Sequence, residues 1–196
     1  HDKTQDLFVF VDKTMMYTCG FWTKDVKTLE ESQLAKLDLV AKKLDLKPGM
    51  KVLDIGCGWG GAAKHFANNY GVSVVGITVS KEQIVYAKEN SDNMDVDFRL
   101  MDYRDLNETF DAIYSIGMFE AVGYKNYKEF FEIVRGCLKD DGAFLLHTIG
   151  ANESTTTTDP WVEKYIFPNG MMPSAEQITK ASEGIFIFDD WHNIGP

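Results

Sequence analysis

The chain has 196 residues, 44% of them hydrophobic and 26% charged, and its formal net charge is −10. That size gives one globular domain with its own core, and the acidity, with no basic stripe, argues against nucleic-acid binding and against strong electrostatic membrane anchoring. Three cysteines (Cys19, Cys57, Cys137) without C-x-x-C spacing speak for reduced thiols of a cytosolic protein with no structural zinc, and no stretch reads as a signal peptide or membrane span.

In chain order, Leu7 to Val11 is a short apolar run expected to pack on a neighbour. Met15 to Trp22 is aromatic-rich and reads either as a flap over the core or as a wall of an active site. Thr28-Leu29-Glu30-Glu31 is a capping box opening a helix with Leu34, Leu37, Ala41 and Leu44 on one face, stopped before Pro48-Gly49. Lys51 to Ile55 is a buried strand running into Gly56-Cys57-Gly58-Trp59-Gly60-Gly61, and a helix follows to about Tyr70, with His65 on its surface. Strands at Ser73–Val79, Val96–Met101, Phe110–Ile116 and Ala143–Ile149 alternate with helices at Lys81 to about Asn90 and Tyr127–Leu138. The alternation predicts a doubly wound, mostly parallel α/β sheet.

After Gly150 the rhythm breaks. Asn152 to Asp159 is a polar loop, and Pro160 to Pro173 is aromatic, methionine-rich and proline-punctuated, the composition of a lid over an apolar pocket or of a core-packing excursion. Ser174 caps a short helix, and Ile185 to Phe188 is expected to form a sixth strand. Three regions result: 1–46 as an N-terminal flap and helix, 47–150 as the cofactor-binding core, and 151–196 as a lid and substrate-side segment. The chain starts at His1 and stops before a seventh strand, so it reads as a catalytic core cut from a longer protein.

Gly56, Gly58 and Gly61 satisfy G-x-G-x-x-G, in which glycines let backbone approach a ligand and a helix start offers free N–H groups. Two features argue against a dinucleotide. The second strand ends Gly76-Ile77-Thr78-Val79-Ser80, with no acid for an adenine ribose, and Asp54 would face a pyrophosphate. An acid at position 54 suits a cation such as the ammonium of S-adenosylmethionine; the bland alternative is a turn-capping aspartate. In a parallel sheet, ligands sit at the carboxyl ends of the strands. Asp54, Thr78, Asp102, Glu120 and His147 all fall there. Thr78 and Gln83 are candidates for the ribose or amino-acid portion, and Asp102 and Tyr103 for the adenine. Glu120 lies among apolar residues where the reacting end of a ligand would be; His147 follows Leu145-Leu146 and could equally be a core histidine.

Tyr17-Thr18-Cys19, Val52 to Gly61, Asp102 to Asp105, Met118 to Gly123, Leu146 to Gly150 and Tyr165 to Gly170 together resemble the cyclopropane-fatty-acyl-phospholipid synthase family, over essentially the whole chain. The resemblance implies a Rossmann-like class I SAM-dependent methyltransferase fold, here without its last strand. It implies transfer of a methylene group from S-adenosylmethionine to the cis double bond of an acyl chain in a membrane phospholipid. In that reaction the alkene attacks the sulfonium methyl, and loss of a proton from the cation closes the ring. It implies that Cys19, Glu120, His147 and Ile149 hold a bicarbonate that takes the proton. It adds Tyr17, Thr18 and Gly60 to the cofactor-binding set of Asp54, Gly56, Gly58, Thr78, Gln83, Asp102 and Tyr103. It further implies a cytoplasmic enzyme, peripheral at the inner membrane surface, and leaves room for a homodimer in the full-length protein. Ala121 and Thr18 depart from the histidine and serine often found there in the family, which leaves the acceptor open. Two other readings stand beside it: an N-methyltransferase of a small amine, and an inactive cofactor- or lipid-binding fragment.

Overall fold

The computed structural model describes residues 11–165 and 170–195. Helix α1 (Leu29–Lys43) is followed by β1 (Lys51–Ile55), α2 (Gly61–Tyr70), β2 (Ser73–Thr78), α3 (Lys81–Glu89), β3 (Val96–Leu100) and β4 (Phe110–Ile116). Then come α4 (Tyr127–Gly136), β5 (Leu138–His147), the short α5 (Pro160–Tyr165) and α6 (Ala175–Ser182). The five strands form one parallel sheet in the order β3-β2-β1-β4-β5. The sheet reverses direction of winding at β1, so the crevice beyond the ends of β1 and β4 is its topological switch point.

The two-residue period of the strands sorts side chains onto two layers. Val52, Val74, Ala112 and Tyr114 pack with Leu37 and Ala41 of α1, Phe66 of α2 and Ala87 of α3. Leu53, Ile55, Val75, Ile77 and Ile113 face the other way, onto Phe130, Phe131 and Val134 of α4 and Ile178 of α6. Both capping boxes form: Thr28 accepts from Glu31 N–H, and Ser174 from Gln177 N–H.

Four expectations are corrected. Among the described residues the sheet ends at β5, and Ile185–Phe188 is not a strand. Phe186 instead meets the rings of Phe131 and Phe144 (centroids 6.2 and 5.6 Å), while Ile187 points to solvent, so ring packing replaces a ladder. β5 starts at Leu138 rather than after Asp141-Gly142, because those residues form an irregularity inside it: the register jumps from Phe110↔Leu138 to Ala112↔Ala143. α4 accordingly stops at Gly136. His65 is half-buried rather than on the open surface; its Nε2 lies 3.1 Å from Asp38 Oδ1, and its ring packs on Phe66 and Tyr70. The run from Leu7 to Phe10 and the Ile166–Asn169 part of the expected lid lie outside the described residues.

The glycine turn separates two jobs. At Gly60 (φ +82°) a Cβ would lie 2.6 Å from Phe98 Cζ, whereas at Gly58 (φ +53°) it would meet nothing within 4 Å. Gly60→Ala should therefore cost backbone strain plus overpacking, about 2–4 kcal/mol, and Gly58→Ala only the left-handed strain, about 1–2 kcal/mol. Urea unfolding of the two variants checks the difference.

Candidate active site at the β1–β4 crevice

A cleft opens at the switch point, lined by Asp54, Gly56, Gly58 and Trp59 after β1, by Ile116 and Gly117 after β4, and by Met15 to Thr18. The Met15–Trp22 stretch is thus both flap and wall. Its chain crosses the start of α2 so closely that a Cβ on Gly61 would lie 1.8 Å from the Thr14 carbonyl oxygen.

Asp54 is the buried acid of this cleft. Register places it opposite Tyr114, whose hydroxyl donates to Asp54 Oδ2 at 2.9 Å. Burial raises the Asp54 carboxyl to about 7, partly opposed by that hydrogen bond. A buried acid with a single side-chain donor is poised to ionise when a cation arrives.

At the other end, Gly117 N–H donates to the His147 carbonyl (2.9 Å), which ties the end of β4 to the end of β5. Glu120 sits in a 3₁₀ turn, Phe119–Ala121; its Oε1 accepts the Ile149 N–H at 2.8 Å, and its carbonyl accepts the Met171 N–H at 2.8 Å. The Ile149 donor that the resemblance assigns to an anion is therefore on the Glu120 carboxylate here. Among the described residues, Glu120 Oε2 and His147 Nδ1 are buried without a hydrogen-bond partner. Asp12 Oδ2, Gln33 Oε1 and the Tyr127 hydroxyl are buried in the same way, and buried polar atoms are seldom left so. His147 is lowered to about 4, first by burial and then by the nearby Lys36 charge, so it is neutral at pH 7.

Cys19, exposed and free, rides on the same flap. Next to it Thr18 is clamped from α1: Gln33 Nε2 donates to its carbonyl (2.7 Å) and Lys36 Nζ to its Oγ1 (2.6 Å). Lys36 was missed from sequence, as were Gln33 and Tyr114. Ser32, Gln33 and Lys36 share one helical face at i, i+1 and i+4, and in the structure all three are buried.

The remaining candidates make contacts of their own. Thr78 Oγ1 donates to Gln83 Oε1 (2.8 Å), and Gln83 Nε2 reaches the exposed Tyr17 hydroxyl at 3.5 Å. Asp102 is engaged by Arg104 through Nε and Nη2 (3.0 and 2.6 Å), which lowers its carboxyl below the usual range. Tyr103 stands edge-on to Phe130 (centroids 5.2 Å). Gly60 faces the core.

A profile of the family described as mycolic acid cyclopropane synthetase matches residues 1–196. The chain belongs to that family. It is 54% identical over 196 residues to the cyclopropane-fatty-acyl-phospholipid synthase of Escherichia coli K12, covering 100% of this chain and 51% of that protein. The chain thus spans about half the length of this curated relative. Two solved structures superpose closely. The cyclopropane synthase MmaA2 from Mycobacterium tuberculosis has a TM-score of 0.84 at 36% identity, over 93% of this chain and 70% of its own. The mycolic acid cyclopropane synthase CmaA1, complexed with SAH and CTAB, has a TM-score of 0.83 at 34% identity, over the same shares. The motif resemblance thus holds over the full chain, and with it the methyltransferase fold of the cyclopropane synthetases.

The buried His147 sets an acid limb for stability. Its proton affinity is lower folded (about 4) than the ordinary 6.5, so the unfolded chain binds more protons between those values. Its contribution is complete above about pH 6.5 and is lost as pH falls toward 4. Chemical denaturation of wild type and His147→Gln across that window should show a shallower pH slope in the variant.

Proposed function

We propose that the protein transfers a methylene group from S-adenosylmethionine to the cis double bond of unsaturated acyl chains in phospholipids, forming a cyclopropane ring. The observations that carry this reading are a buried acid at the end of β1, suited to a cationic co-substrate, and two buried polar atoms without partners, Glu120 Oε2 after β4 and His147 Nδ1 at the end of β5. The cyclopropane synthase relatives, one of them complexed with SAH, support the same assignment.

Asp54 would hold the co-substrate's ammonium, with the Gly56–Gly58 turn giving its backbone room; S-adenosylmethionine, when bound, supplies the electrophilic methyl carbon. The pair Glu120 and His147 fits a small protonated anion such as bicarbonate. An ionised Glu120 only accepts, so it suits the anion's own O–H, while neutral His147 has one N–H to donate. Bicarbonate, when bound, supplies a weak base for the proton lost on ring closure. Glu120 is restrained by the Ile149 N–H and by its own backbone bond to Met171, so that its free oxygen is held in place rather than acting as a mobile nucleophile.

Trp161, Tyr165 and Met172 are exposed around the lid, and Ile149 is exposed at its base. We include in this reading peripheral attachment at the inner membrane surface through apolar contact rather than charge, in keeping with the net charge of −10. Among the described residues, no helix is long and apolar enough to cross a membrane.

Two measurements test the site. Asp54→Ala should weaken co-substrate binding by on the order of 2–5 kcal/mol in calorimetry, the cost of leaving a buried ammonium unpaired; unchanged affinity contradicts the assignment. In the wild type, affinity should rise from pH 6 toward pH 7.5, because the free carboxyl must shed its proton near 7 to meet the cation, and Asp54→Asn should flatten that rise. Glu120→Gln should lower turnover far more than affinity, since its work falls after binding.

A further inference from the structure

The polar face of α1 is unexplained by packing alone. Lys36 is 1% exposed, where an unpaired ammonium is costly. Its Nζ reaches Thr18 Oγ1 at 2.6 Å. The same segment is fixed twice more: Gln33 Nε2 donates to the Thr18 carbonyl, and Phe21 N–H donates to the Ser32 carbonyl (2.9 Å). Gly20 lies so close to α1 that a Cβ would sit 2.2 Å from Ser32 Oγ. Thr18 in turn fills the space that a Gly117 side chain would need, its Cγ2 2.3 Å from where that Cβ would be. A line of contacts therefore runs from Lys36 through Thr18 to the backbone that joins β4 and His147.

Gln33 and the Ser32–Phe21 bond already tether the loop, so the tether alone does not require a cation. A charge does have an electrostatic consequence. Lys36 acts on His147 of β5, which carries one of the unpartnered atoms, and Cys19 and Asp12 of the flap act on Lys36 in turn. Glu120, when ionised, already places one negative charge in this region; a second anion beside it needs a compensating positive one. Among the described residues Lys36 is the one lysine or arginine buried from solvent, and its charge acts on His147. Burial lowers the lysine only to about 8, so at neutral pH it remains mostly protonated.

We propose that Lys36 is a positioning residue of this site: its buried ammonium fixes Thr18 against Gly117 and supplies the positive charge that lets a small anion be retained next to Glu120 and His147. The proposal rests on the anion reading above and adds to it a residue outside the glycine motif and the strand ends.

The test uses the whole protein with Lys36→Met, and Lys36→Gln where the apolar variant fails to fold. His147 is followed by NMR titration, and turnover is measured against added bicarbonate. Loss of the ammonium should move the His147 titration upward, because the neighbouring like charge no longer opposes the imidazolium. Turnover at low bicarbonate should fall by at least about tenfold, the scale of one charge acting through a protein interior, and should recover as bicarbonate is raised. An unmoved His147 titration overturns the proposal, as does turnover that equals wild type at low bicarbonate or that stays low at every concentration. Wild-type turnover indifferent to bicarbonate would instead contradict the anion reading, and the His147 titration would still decide whether Lys36 acts on this site.

Discussion

At Gly117 the backbone turns with φ +70°, and an added Cβ would lie 2.3 Å from Thr18 Cγ2. This contact joins the three parts of the molecule that the chemistry needs together. The flap reaches it through Thr18, the central sheet through β4, and the edge strand through the hydrogen bond from Gly117 to the His147 carbonyl. Gly56 does the same for the neighbouring turn, where a Cβ would lie 2.5 Å from that of Met118. A side chain at either glycine would have to push the flap or the Glu120 turn outward. The crevice therefore exists because two residues at the ends of adjacent strands have no side chain, in a backbone conformation that other residues avoid.

Around that contact the burial of ionisable groups follows one electrostatic pattern. Asp54 is raised to about 7, Lys36 lowered to about 8 and His147 lowered to about 4. Desolvation is the first cause in each case, and it presses each group toward its neutral form. Asp54 lines the cleft at the end of β1, while Lys36 lies on α1 and His147 ends β5. Keeping such groups out of water is costly, and groups perturbed in this way gather at functional sites. The surrounding scaffold carries the expense: two full layers of apolar side chains on the sheet and capped helices on either side.

Much of this was legible in the sequence because it rests on short-range rules. Alternating apolar residues marked β1 to β4, the Thr28 and Ser174 boxes marked their helices, and the rule that ligands sit at strand ends singled out Asp54, Glu120 and His147 as candidates. Three things were not legible, each for a physical reason. Ile185–Phe188 has the composition of a strand, but ring contacts of Phe186 decide its place, and these depend on Phe131 and Phe144, far away in sequence. The irregularity at Asp141-Gly142 looks like a turn, because a strand that bulges and a chain that turns use the same residues. Lys36 was invisible because a lysine on a helix is ordinarily solvated; only the approach of the flap across α1 buries it.

In the proposed reaction this crevice directs a methyl carbon from S-adenosylmethionine onto an acyl double bond. Mass spectrometry of the acyl chains is the most direct measurement, after the whole protein is supplied with S-adenosylmethionine and vesicles of a mono-unsaturated phospholipid, with a small amine present as competitor. The account predicts acyl chains heavier by one CH₂ with the double bond gone, no methylated amine, and loss of the product in Glu120→Gln. Methylated amine with unchanged acyl chains would contradict it.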